Sequence, residues 1–151
     1  MIPRIGERIR EGQSYAHRPG AYAVLLRGRD VLLTHQAAPQ PEFQLPGGGI
    51  DPGEHPIAAL HREVREETGW KMAPTRRLGA FRRFTFMPDY GVWAEKVCIV
   101  YLGRPVRRLG PPAEAGHSAH LVPLARAVGM VGNDGDRLFL RRVLGCAQPP
   151  G

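Results

Sequence analysis

Two apolar runs, Gly20 to Arg27 and Val31 to His35, begin the patterned part of the chain, with Gly28-Arg29-Asp30 between them. This arrangement predicts a hairpin. Both runs are apolar at consecutive positions, which suits strands covered on both faces and predicts helices on two sides of a sheet. After a loop from Ala37 to Pro41, Phe43-Gln44-Leu45 predicts a short strand running into Pro46-Gly47-Gly48-Gly49. From Pro56 to Thr68 the apolar residues Ile57, Leu60 and Val64 recur at helical spacing. Pro56 suits a first helical position, Asp51 and Glu54 lie at the positive end, and Gly69 can take the left-handed stop. His55 is a poor cap by residue type, so the start is assigned to Pro56. Arg76 to Phe86 and Val92 to Leu102 read as strands joined by Met87-Pro88-Asp89-Tyr90-Gly91, and the Pro- and Gly-rich stretch from Arg104 to His117 reads as a long loop. A short strand from Ala119 to Val122, a helical turn from Leu124 to Val128 and a last helix from Asn133 to Leu144 follow. Residues 1–16 are weakly patterned and read as an N-terminal arm, 17–146 as one folded domain, and 147–151 as a tail.

Composition narrows the class. With 151 residues, 42% of them hydrophobic and 23% charged, the chain is a globular domain with a real core, and disordered or collagen-like classes are excluded. The longest apolar run, Val97 to Leu102, is too short for a transmembrane helix, which needs about 20 residues, and Met1-Ile2-Pro3-Arg4 opens no apolar leader. The expectation is a soluble cytoplasmic protein with no membrane partner. Cys98 and Cys146 have no CxxC partner, and the six histidines form no His-x-x-x-His pair, so neither a disulfide framework nor a zinc knuckle is indicated. Net charge is +7, and only Lys71 and Lys96 of the 21 basic residues are lysines. An arginine-rich surface suits phosphate, in a nucleotide or in nucleic acid, but the same bias arises on a merely solvated surface.

The acidic residues are more informative. Glu54, Glu63, Glu66 and Glu67 gather within a short stretch of a basic chain. On the predicted helix, Glu63, Glu66 and Glu67 form a stripe beside Ile57, Leu60 and Val64, so three carboxylates project side by side. Taken alone, with Arg62 and Arg65 interleaved, such a stripe reads as a solvated face. The turn Gly47-Gly48-Gly49 just before it changes that reading. If the turn folds over the stripe, two carboxylates about 6 Å apart repel by roughly 3 kcal/mol at an effective dielectric near 20. A hard divalent cation removes that cost, and oxygen ligands favour Mg²⁺ or Mn²⁺, ions that also bind phosphate oxygens. Phosphoanhydride hydrolysis is the reaction class such a site serves.

The order Gly48, Glu54, then Arg62-Glu63-Val64-Arg65-Glu66-Glu67-Thr68-Gly69-Trp70 resembles the 23-residue Nudix box, G-x5-E-x7-R-E-U-x-E-E-x-G-U, over residues 48–70. Seven fixed residues at roughly 6% usage each would match by chance in about one chain per million, so the spacing is specific. The resemblance implies an α+β fold, an α/β/α sandwich around a mixed β-sheet. It implies that Glu63, Glu66 and Glu67 hold Mg²⁺ or Mn²⁺ with the Gly47 carbonyl as a further ligand. Arg62 would brace the glutamates, Glu54 would support the cluster, and Gly48 would open the box. Glu63, Glu66 and Arg62 are thereby the expected catalytic group.

Departures bear on substrate. Trp70 replaces the usual aliphatic residue, and Thr34-His35-Gln36 stands where relatives that sanitise oxidised nucleotides often carry arginines. Pro46-Gly47-Gly48-Gly49 differs from the P-Q-G-G common in RNA 5′-end pyrophosphohydrolases, and Pro88 does not match the spacing of ADP-ribose hydrolases. A second carboxylate from outside the box often serves such enzymes as base or extra ligand; Glu114 is the first candidate and Glu95 the next. Arg82 and Arg83 fall on opposite faces, so at most one would meet substrate, while Tyr90, Phe86 and Trp93 are candidates to stack on a base, Trp93 fitting a core better. The expected activity is Mg²⁺-dependent hydrolysis of a nucleoside diphosphate linked to another group, by water attack at phosphorus. The expected substrate is a small nucleotide or nucleotide sugar. The alternatives are an RNA 5′-end pyrophosphohydrolase and a non-catalytic nucleotide-binding module. Nucleic acid is not favoured as a partner, and the oligomeric state stays open, a homodimer included.

Overall fold

Strands without polar alternation need cover on both faces, and β1 (Ala16–Arg27) and β2 (Asp30–Gln36) receive it in the computed structural model, which describes residues 1–147. Ala21, Ala23 and Leu25 join Leu32 and Met72 beneath helix α1 (Pro56–Thr68), which contributes Leu60 and Val64. Val24, Val31 and Leu33 point the other way. There they meet Leu124 and Ala127 of α2 (Leu124–Met130) and Phe139, Leu140 and Val143 of α3 (Asp134–Ala147). Each fully buried Leu or Val contributes about 1.5–3 kcal/mol, so the two cores clamp the sheet from opposite sides. The fold is α+β, a mixed sheet between helices, as the doubly apolar strands imply.

Strand β1 is the hub. It runs parallel to β6 (Val92–Arg108), from Ala16 beside Ala94 to Leu25 beside Gly103. On its other edge Gly20 to Tyr22 pair with β4 (Gly47–Gly49). Its hairpin with β2 holds only Leu26 to Val31 and Arg27 to Asp30, after which β2 pairs with β3 (Glu42–Gln44) and β7 (His117–Pro123). Beyond β6 lies β5 (Trp70–Met87), antiparallel to it.

Several boundaries differ from the pattern reading. The strand pair β5–β6 extends past Arg76 and Leu102 to Trp70 opposite Arg108, so the predicted loop from Arg104 shrinks to residues 109–116. Pro74 and Pro105 disguise this extension. Register shifts fall between Lys71 and Met72 and between Pro74 and Arg76, next to the prolines that cannot donate to a ladder. The N-terminal arm is not free: the Ile5 N–H donates to Arg82 O at 3.0 Å, and the Arg82 N–H donates to Pro3 O at 2.8 Å. Ala147 closes α3, and the remainder of the predicted tail lies outside the described residues. No helix among the described residues is long and apolar enough to cross a membrane.

Candidate active site

Helix α1 begins and ends on specific local bonds. Pro56 opens it as predicted, but His55 is a working cap: its Nδ1 accepts the Ile57 N–H at 3.1 Å. At the other end Gly69 takes φ 74°, and its N–H donates to Arg65 O at 2.9 Å. A Cβ at Gly69 would also overlap the carbonyl of Gly110, so glycine is required there twice over. With both ends set, Ala59, Leu60 and Val64 are buried and the glutamate stripe turns toward β4.

Strand β4 is glycine for steric reasons. Gly47 has φ 145°, and a Cβ there would overlap Ala21 O and the Tyr22 backbone. A Cβ at Gly48 would overlap the Glu63 carboxyl. The close approach lets the Gly47 N–H donate to Glu67 Oε2 at 3.2 Å. Gly47 thus meets the cluster through its amide.

Arg62 organises the front of the site. Its Nε and Nη2 hold Glu54 in a fork at 3.0 and 2.9 Å, Nη1 donates to Glu63 Oε1 at 2.8 Å, and Nη2 reaches Gly49 O at 3.0 Å. Glu66 Oε2 lies 3.5 Å from Nη1. The fork holds the Glu54 carboxyl down at about 2. Burial pushes Glu63 the other way despite Arg62, and burial raises Glu67 well above the usual carboxylate range, with the Gly47 amide opposing and Glu63 and Glu114 adding repulsion. Glu67 is only 7% exposed, whereas the Glu66 side chain is 44% accessible.

Glu114 comes to this cluster from the 109–116 loop. Its N–H donates to Glu66 O at 2.9 Å, tying the loop to the end of α1. Ligand atoms of Glu67, Glu114 and His117 lie within 4.8 Å of one another, a set able to coordinate a divalent metal ion. Glu63 and Glu66 turn instead to Arg62. His117 is not marked in the sequence by a paired histidine. The available signal was Glu-x-x-His, Glu114 to His117, in a Gly- and Pro-rich loop.

Other candidates lie elsewhere. Glu95 faces Arg82 at 3.8 Å, Arg82 also donates to Ile2 O, and Arg83 holds Glu7 at 2.9 Å, so both arginines secure the N-terminal arm. Trp93 packs with Tyr15, Phe86 and Arg10. Tyr90 lies under Arg18, and 62% of it is exposed. Cys98 is buried, as its strand pattern implies.

The family model of the NUDIX domain matches residues 16–143. Over 70 residues the chain is 34% identical to a Bacillus subtilis (strain 168) protein provisionally named an 8-oxo-dGTP diphosphatase, covering 46% of this chain and 47% of that one. Over 67 residues it is 36% identical to an RNA pyrophosphohydrolase of Halorhodospira halophila, covering 44% of this chain and 37% of that one. The chain thus spans less than half the length of these relatives. A NUDIX hydrolase from Nitrosomonas europaea superposes with a TM-score of 0.70 at 20% identity, over 89% of this chain and 93% of that one, a likeness of fold. A match across the whole sheet, and not merely across the glutamate motif, carries the assignment: the chain belongs to the Nudix hydrolase superfamily.

Proposed function

We propose that the chain is a divalent-metal-dependent hydrolase of a nucleoside diphosphate linked to another group. The observation that carries this reading is the convergence of Glu67, Glu114 and His117 beside a glutamate row braced by Arg62. The donor set fits a divalent ion: a buried carboxyl raised by desolvation and by two neighbouring glutamates is stabilised when a cation replaces its proton. Glu67 and Glu114 would hold the ion, which when bound neutralises phosphate oxygens and lowers the pKa of water. Arg62 keeps Glu63 and Glu54 in place and needs no rearrangement to do so. Glu66, open to solvent at the rim, receives the proton of the attacking water. Beside His117 a groove of about 350 Å³, lined by Thr68, Trp70 and Arg108, offers room and a cation for a phosphate chain.

The test separates these roles. Glu66→Gln should lower turnover by about 10²-fold or more with Mn²⁺ affinity retained, and Glu67→Gln should lower both. Unchanged turnover in both variants, or turnover surviving EDTA, would sink the metal-dependent reading. Substrate class is read by offering nucleoside triphosphates, ADP-ribose, dinucleoside polyphosphates and triphosphorylated or capped RNA with Mg²⁺ or Mn²⁺, and weighing the products. A second reading, RNA 5′-end processing, is favoured by the Halorhodospira relative and by the exposed Arg76, Arg77, Arg104, Arg107 and Arg108 on β5 and β6. It predicts pyrophosphate from triphosphorylated RNA and binding that weakens steeply with salt. Binding of nucleotides without any cleavage would instead indicate a non-catalytic module.

A further inference from the structure

We propose that His117 is itself a metal ligand, and that its imidazole makes this centre select Mn²⁺ or another first-row transition ion over Mg²⁺. The inference rests on the metal-dependent reading above and deepens it. His117 is held at two points. Its backbone pairs with Gln36 at the start of β7, and its ring Nδ1 lies 3.1 Å from Oγ1 of Thr34, a residue with no exposed surface. In the tautomer that carries the proton on Nδ1, which then donates to the Thr34 hydroxyl, Nε2 keeps a lone pair on the side of Glu114. That is the arrangement by which a ligating histidine is oriented: one ring nitrogen is anchored and the other is left for the metal.

Nε2 and Glu114 Oε1 are 3.7 Å apart, too far for a hydrogen bond between them, so neither atom satisfies the other. Both remain within 4.8 Å of a Glu67 carboxylate oxygen. Glu67 brings a nearly buried oxygen, Glu114 a half-exposed one, and His117 a nitrogen from a different element, so the three converge from α1, the 109–116 loop and β7. Mg²⁺ is a hard ion that takes oxygen and keeps its waters, and gains little from imidazole. Imidazole suits the later transition ions best, and Mn²⁺, which opens that series, takes a nitrogen among its oxygen ligands more readily than Mg²⁺ does. The oxygen-only ligand set implied by the glutamate motif is therefore incomplete for this chain.

The experiment is electron spin-echo spectroscopy of the full chain loaded with Mn²⁺, with titrations of Mn²⁺ and Mg²⁺ in the absence of substrate. The wild type should show ¹⁴N modulation from one directly bound imidazole. His117→Gln should abolish it and weaken Mn²⁺ binding about 10-fold or more, with Mg²⁺ binding changed less than about 3-fold. His120→Gln, three strand positions beyond, should leave the modulation intact. Thr34→Val, which frees the ring without removing it, should weaken Mn²⁺ binding by a smaller factor. Mn²⁺ bound without nitrogen modulation, or modulation that survives in His117→Gln, would overturn the ligand assignment and leave the hydrolase reading standing. Failure of Mn²⁺ to bind at all would overturn both.

Discussion

Arg62 shows how much of the site one side chain can set. Its planar fork engages both Glu54 oxygens and one Glu63 oxygen at once, a geometry that the single ammonium of lysine cannot reproduce. Arg62→Lys should therefore lower turnover and Mn²⁺ affinity about 10- to 100-fold with the charge unchanged, measured by initial rates and calorimetry. Asp136 acts on the opposite side of the sheet. Only 4% exposed, it accepts the Leu45 N–H at 3.0 Å just before β4, and burial pushes its carboxyl up to about 6. Because the native state holds that proton more tightly than the unfolded chain, stability is greatest below about pH 4 for this group and falls as pH rises to about 6. The full change is about 3 kcal/mol. Asp136→Asn keeps the acceptor for Leu45 and should flatten that slope, raising the melting temperature at pH 7; an unchanged slope in thermal melts would refute the assignment. At this scale the glutamates and Arg62 were legible because their spacing is rigid along one helix. His117, Thr34 and Asp136 were not, because each finds its partner through tertiary packing across distant segments.

At the scale of elements, α1 was readable to the residue, since Pro56 and Gly69 mark ends that few other residues could supply. The strands were not. Pro74 and Pro105 broke the period of two, while paired β5 and β6 absorb them at shifts in register that only the partner strand reveals. Two glycines separate chemistry from folding. Gly48→Ala pushes a methyl into the Glu63 carboxyl and should cut turnover about 10²-fold, with helix content by circular dichroism preserved. Gly69→Ala forces a side chain into the left-handed region and against Gly110 O, and should cost about 2–3 kcal/mol in denaturant melts. Equal loss of stability in the two variants would contradict this division. The cover on both sheet faces was legible for an elementary reason: consecutive apolar residues in one strand leave no face for water.

Across the whole molecule, a net charge of +7 surrounds a local negative cluster, and Arg76, Arg77, Arg104, Arg107 and Arg108 lie exposed on the long strands. Such a field draws a polyanion toward the site. For a substrate that the protein turns over, kcat/KM should fall about tenfold between about 50 and 500 mM NaCl, with kcat little changed. A salt-independent kcat/KM would assign the arginines to solvation alone. The sum of charge never distinguished these cases, since it carries no information about position. The parallel register of β1 with β6 has a further bearing, on the order of assembly. Strand β4, whose Gly47 amide meets Glu67, leans on β1, and β1 is itself completed only by Ala94 to Gly103. A chain emerging from the ribosome therefore exposes the entire glutamate motif well before the strand that stabilises its platform exists. Closing so long a loop is slow compared with forming a helix. The motif is local as text, yet the strand that seats it is completed by residues far along the chain. The cluster of Glu67 with Glu114 and His117 therefore arises only once both halves of the chain have been made.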